Sequence, residues 1–217
     1  MKKYSFLLLP LLGITAQVAA QPSSQGPLDQ RSINMTAFVG QTVRIVAQAD
    51  SCDGSPVGFI IDNVALSGGG TVLNGSFESD LDDWTTEAGG CSIYTAAQGD
   101  PIGYEGSNSA PQPTNGSALA ASSADSPGSC RLYQDVAIAG AGTLTADMGW
   151  TFTQFAPENP GCEVSLRIET TAGALLDEIV VFRPVTQTTA IPATPLWALA
   201  LFTGLLGVLG WRRLAQS

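Results

Sequence analysis

The chain has no histidine in its 217 residues. That removes Ser-His-Asp triads, Cys-His pairs and histidine-based zinc or iron centres at once. Lysine occurs only as Lys2 and Lys3, outside the body of the protein. Charge is sparse at 13% of residues, and aromatics make up 7%. The body, residues 21–190, holds all nineteen acids but five of the nine basic residues, a net charge of −14. Such a surface repels nucleic acid and anionic lipid head groups. It either attracts divalent cations or keeps an exported protein soluble. Carboxylates are plentiful, yet none has the flanking sequence that would mark a glycosidase pair. With no nucleophile-base set either, a non-catalytic protein is expected. The four cysteines, Cys52, Cys91, Cys130 and Cys162, fit no CxxC metal spacing. An even count in an exported chain points to two disulfides, with three pairings open.

Both ends read as targeting segments. Residues 1–20 have a positive start at Lys2 and Lys3, an apolar stretch from Phe6 to Ile14, and small residues at Val18-Ala19-Ala20. This is the pattern of a secretory signal peptide. At the other end, Leu196 to Trp211 carries no charge and Arg212-Arg213 follows directly. A helix of about 16 residues is about 24 Å long, marginal for a membrane core of about 30 Å. Trp197 and Trp211 sit where interfacial aromatics belong, and the arginines suit the cytoplasmic side. A transmembrane helix is therefore expected.

Between the ends the text is that of short strands. After a polar lead-in at 21–30, strands are expected from Arg31 onward, at Val43–Ala47 and Gly58–Leu66, and from Val72-Leu73. Further strands are expected at Ser117–Ala121, Leu132–Ile138, Thr143–Phe152, Glu163–Thr170 and Glu178–Phe182. Turn residues separate them: Ser126–Ser129, Ala139–Gly142, Pro157–Gly161 and Ala172-Gly173. Regular Gly/Pro punctuation without helical periodicity predicts an all-β sandwich. Residues 98–116 form a long loop rich in Gly, Pro, Ser and Asn, either functional or mobile. A polar linker occupies 184–190.

Asn74-Gly75-Ser76-Phe77-Glu78, followed by Leu81 and Trp84, resembles the opening of galactose-binding-like jelly rolls, which include several carbohydrate-binding-module families. Gly116–Leu119 and Leu132–Val136 fit the next two strands of that pattern. Phe38–Ile45 and Gly58–Leu66 resemble its closing strands, but here they come first. The resemblance implies one circularly permuted jelly roll over 31–183. Residues 31–66 would be its closing strands, 67–71 a hairpin connection, and 72–183 its opening strands. The rivals are two incomplete domains, or completion of the sheets by a neighbouring chain. Ile191-Pro192 and Trp197, the apolar run and Arg212-Arg213 resemble the IPTL-CTERM and PEP-CTERM bacterial sorting signals over 191–217, though Ala193–Leu196 depart from the usual motif. That resemblance implies a sorting peptidase, a transient membrane anchor, and the cell envelope or matrix of a Gram-negative bacterium.

The jelly-roll resemblance further implies a structural calcium held by Asp62 and Glu78, with turn and edge polarity as the plainer role for both. Trp84 and Trp150 read as core aromatics, and Tyr94 and Tyr133 as further rings that could stack on sugars. Tyr104 is the best exposed candidate, beside Asn108, Gln112 and Asn115 in the long loop. Cys91 with Cys130, and Cys52 with Cys162, is the expected pairing; other pairings or free thiols are the alternatives. The function expected is a non-catalytic, exported, envelope-sorted protein that binds or sits among extracellular polysaccharide. The alternative is a structural surface or matrix protein with no small ligand.

Overall fold

The computed structural model describes residues 25–51, 56–103, 106, 108–124, 128–152 and 161–184. The signal peptide, the first four residues of the lead-in (21–24), Cys52, Tyr104, the linker from 185 and the whole sorting motif (Ile191, Pro192, Trp197, Arg212, Arg213) lie outside the described residues. Among the described residues no helix is long and apolar enough to cross a membrane.

Twelve strands are described: β1 Asp29–Asn34, β2 Thr42–Ser51, β3 Val57–Leu66, β4 Thr85–Ala88, β5 Cys91–Ala97, β6 Pro101–Ile102, β7 Asn108–Ser109, β8 Ala118–Ala124, β9 Gly128–Ala137, β10 Thr143–Phe152, β11 Glu163–Thr170 and β12 Leu175–Phe182. They make two five-stranded antiparallel sheets. Sheet A has the order β1-β10-β3-β8-β5 and sheet B the order β12-β11-β2-β9-β4. β6 and β7 form a small separate pair. The protein is thus an all-β sandwich, as the strand text predicts.

Alternation builds the core. In β2, Val43, Ile45, Ala47 and Ala49 face inward, as do Val164, Leu166 and Ile168 in β11 and Leu144, Ala146 and Met148 in β10. Each fully buried large aliphatic contributes about 1.5–3 kcal/mol of transfer free energy. In β3 the inward face changes parity, from Val57, Phe59 and Ile61 to Val64. The pairing with β10 shifts between Thr145 and Asp147, and Asn63 adopts a φ of 51°. One extra residue in β3 makes this bulge, and the bulge leaves Asp62 fully buried.

Residues 31–66 supply the central strand of both sheets. β2 lies between β11 and β9, and β3 between β10 and β8. Without them, sheet A would keep β10 apart from β8-β5, and sheet B would keep β12-β11 apart from β9-β4. Both sheets are closed up within one chain.

Three local expectations change. No strand starts at Val72-Leu73; residues 71–84 are turns and bends. Asn74, Phe77, Asp80 and Asp83 all have positive φ, between 46° and 68°, which an extended strand excludes. Consequently Ser67 to Thr71 is not a hairpin between two strands. It crosses the Ala139–Gly142 turn backbone to backbone, with Ala139 N–H donating to the Gly69 carbonyl at 3.2 Å. A β-carbon on Gly68 would collide with the Ala141 carbonyl, and Gly68 has a φ of 83°. Of the turn expected at Ser126–Ser129, Gly128 and Ser129 belong instead to β9, and 126 and 127 lie outside the described residues.

Cys91 at the start of β5 and Cys130 in β9 form a disulfide, with Cα atoms 5.9 Å apart. It ties the edge of sheet A to sheet B. Cys162 is also disulfide-bonded.

Candidate functional site

Asp62 and Glu78 act on the same stretch of chain. Asp62 Oδ2 accepts hydrogen bonds from Thr114 N (2.7 Å), Thr114 Oγ1 (3.0 Å) and Asn115 N (2.9 Å). Glu78 Oε1 accepts from Ser117 N (2.7 Å) and Ala118 N (2.8 Å), and its Oε2 from Ser117 Oγ (2.8 Å). These donors hold the Glu78 carboxyl below its ordinary pKa, the Ser117 backbone N–H foremost. Gly116, with φ 86°, lies against the Glu78 carboxylate, where a β-carbon would not fit. The two carboxylates therefore hold successive parts of one segment, Asp62 at 114–115 and Glu78 at 117–118, and serve there as anchors. Calcium takes six to eight oxygen ligands. No group of three acids or cysteines suited to a metal occurs among the described residues. As arranged, this pair with its N–H donors does not fit a calcium shell.

The anchored segment is the end of the long loop. The described residues of 98–117 lie on the outer face of sheet A, and Ile102 and Ala110 build a second small core there. Ile102 and Ala110 pack with Ile60, Ala96, Leu119 and Ala121. Asn108 donates its amide to Thr151 Oγ1 and to the Phe152 carbonyl, and Asn115 donates to Asn63 Oδ1 at 3.3 Å. Gln112 donates to the Pro113 carbonyl at 3.5 Å. Asn108 thus sits by Thr151 and Asn115 by the Asp62–Asp147 pair, four positions away along β10. At about 3.3 Å per residue that is about 13 Å, so the structure does not gather them into one cleft.

Sheet B treats its outer face differently. Its strands present Arg44, Gln48 and Asp50 from β2, Arg131, Tyr133 and Asp135 from β9, and Glu163, Arg167 and Glu169 from β11. Four of the body's five arginines are here or just after β12. Arg131 bridges Glu87 (2.5 Å) and Glu169, and donates to Gln48 Oε1 at 3.2 Å. Gln48 reaches Asp50, and Asp50 pairs with Arg167 at 3.6 Å. Arg167 also holds Glu178 (2.6 Å) and Glu163 (3.2 Å), and Arg183 closes on Glu163. Burial pushes the Glu163 carboxyl up, but the Arg183 and Arg167 pairs outweigh it and leave the pKa lowered. Burial likewise depresses Arg167, and its carboxylates more than reverse that. Val46, on this outer face, is fully buried beneath these side chains.

One recess interrupts the network. Arg44 grips Asp135 with two hydrogen bonds, at 2.8 and 3.2 Å, and its guanidinium lies 3.8 Å from the centre of the Tyr133 ring. The bond to Asp135 is the main cause that raises the Arg44 pKa. β4 pairs with β9 only as far as Tyr133. Beyond it the buried Gln134 side chain replaces a strand partner: it accepts from Leu73 N–H (2.8 Å) and donates to the carbonyls of Leu73 (3.0 Å) and Asp83 (3.1 Å). The loop so held stands off the sheet and leaves an open cavity of about 520 Å³, lined among others by Thr71, Leu73, Asp83, Thr85, Tyr133 and Asp135. The strained loop is braced from inside, where the Phe77 ring packs tilted against Trp84, centres 5.4 Å apart, and Trp84 Nε1 donates to the Asn74 carbonyl. Positive φ at bulky residues is retained only where the surroundings over-determine it, and such strain gathers at functional sites.

Of these residues, only Tyr133 stands out in the sequence as a ring able to meet a ligand. The signal for the others is position: Arg44, Arg131 and Arg167 alternate with apolar residues in their strands, which marks the outward face. No protein-family profile matches the chain, no curated protein is significantly similar to it, and no solved structure matches it significantly.

Proposed function

We propose that this is a non-catalytic exported protein that binds extracellular polysaccharide through the outer face of sheet B. The observation that carries the proposal is the recess beside Tyr133. It offers hydroxyls, carboxylates and backbone groups at a sheet edge. Polar groups of that kind suit a ligand that is mostly hydroxyl. The permuted galactose-binding-like jelly roll is part of the same reading, and the central positions of β2 and β3 support it. So is sorting to the cell envelope by a sorting peptidase through the tail.

A second reading, a matrix protein without a small ligand, draws on the internal use of Asn108, Asn115 and the arginines, which leaves few groups free for a partner. Affinity electrophoresis of the purified full-length protein through gels containing polysaccharides separates the two. Saturable retardation supports binding, and unchanged mobility in every gel favours the matrix role. Calcium, implied by the resemblance, would have to take Asp62 and Glu78 from the N–H groups they now hold. A rise in Tm with added calcium, reversed by a chelator, would restore the ion to the reading.

A further inference from the structure

Resting on the polysaccharide reading, we propose that the recess beside Tyr133 selects an uncharged, hydroxyl-rich sugar unit, with Asp135 as its principal acceptor. The cavity, about 520 Å³, lies within the usual range of small-ligand sites, about 300–1,000 Å³. Arg44 lies against the Tyr133 ring. The tyrosine therefore does not offer an open stacking platform there, and polar contacts must do most of the recognition.

Asp135 is suited to that role. Its side chain remains 40% exposed while bound to Arg44. A carboxylate has about four acceptor sites. Arg44 uses one on each oxygen, which fixes the group and leaves the others for sugar hydroxyls. Thr71 and Thr85 add hydroxyls that both donate and accept, and Leu73, half exposed, gives the apolar contact that a pyranose C–H face needs. The Gln134 clamp sets the wall that carries Leu73 and Asp83 before any ligand arrives, so little ordering is left to be done on binding.

Charge decides the class of sugar. Asp135 neutralises Arg44, and Asp83 adds a second carboxylate with no cation paired to it among the described residues. The recess is then net negative within a body of charge −14. Uronic and sulfated units would be repelled, and neutral hexose units would not.

The test is affinity electrophoresis of the full-length protein against three neutral polymers (dextran, a β-glucan and a galactan) and two polyanions (alginate and polygalacturonate). Retardation is expected in at least one neutral gel and in neither polyanion gel. Asp135→Asn should weaken it about tenfold or more, as expected for a lost charged acceptor. Leu73→Ser, at an exposed position that leaves the fold intact, should weaken it severalfold; Gln112→Ala on the opposite sheet should not. If neutral polymers bind and neither Asp135→Asn nor Leu73→Ser matters, the site is elsewhere and the inference falls while polysaccharide binding stands. Retardation by polyanions alone overturns the ligand class. No retardation in any gel removes the polysaccharide reading, and the inference with it.

Discussion

Sheets A and B turn similar apolar faces to one another and deal with their outer faces in opposite ways. Sheet A covers part of its outside with the described residues of 98–117, an apolar patch beneath and two carboxylates pinning the end. Sheet B leaves its outside to a lattice of arginines and carboxylates that no further layer of described strands covers. The difference follows from the strand text. β8 offers Leu119 and Ala121 outward, which need a cover, whereas β2, β9 and β11 offer charges that satisfy one another. A covered face is stable but closed to ligands. An ionic face can be dry under its arginines, as Val46 is, and still hold a wet recess.

The comparison can be broken in several places. The largest effect is expected from Cys91→Ser with Cys130→Ser, which removes the link between the sheets at one edge. For a separation of 39 residues the chain-entropy estimate is about 4 kcal/mol. A Tm within 2 °C of the wild type would refute it. Next is Arg131→Ala. It strands the Glu169 carboxylate, whose residue is 4% exposed, and should cost about 3 kcal/mol, less than a fully buried pair because Arg131 is partly exposed. Denaturant melts of Arg131→Ala and of the double variant with Glu169→Gln measure it; the second change should recover much of the loss.

Ile102→Ala attacks the cover of sheet A instead and should cost about 2 kcal/mol, the low end for a buried isoleucine, because the patch is small and can collapse. Hydrogen exchange should quicken in 98–118 and stay unchanged in β2 and β11. Equal loosening of both sheets would mean that the cover is not a separate layer. The smallest effect is that of Glu78. Its folded pKa is depressed, so its contribution is present above the ordinary carboxylate value of about 4.3 and fades as pH falls through the folded pKa. Wild type should lose slightly more stability than Glu78→Gln on acidification below about pH 4.3. Parallel curves would leave Glu78 without an anchoring role.

How much of this was legible depended on whether a residue's partner was near in pattern. Thr143–Phe152 and Glu163–Thr170 are expected and found at those bounds, because alternation and flanking turns define them locally. Trp84 reads as core and is core, on Phe77. Thr85–Ala88 and Cys91–Ala97 were hidden in acidic, glycine-containing or small-residue text, where pairing with β9 and β8 overrides weak propensity. The failure at Val72-Leu73 has one cause: an amide side chain, Gln134, does the work of a strand edge, and no local signal announces that. The recess was invisible for the same reason. The long loop reads as polar, yet Ile102 and Ala110 are enough to dock it.

The central placement of β2 and β3 has a consequence in time. Every ladder partner of these two strands is made later in the chain; Arg44 waits for Asp135, 91 residues on. At synthesis rates of about 5–20 residues per second, that is roughly 5–18 s for β2; β3, whose Ile60 pairs with Ala121, waits roughly 3–12 s. Folding dominated by such distant pairings is slow, and the first strands synthesised are among the last to close. The central strands of the emerging chain therefore stay unpaired over that interval. Pulse-labelled hydrogen exchange during refolding should find β2 and β3 gaining protection together and late, after the β11-β12 hairpin. Protection of β2 before β9 and β11 would contradict that order.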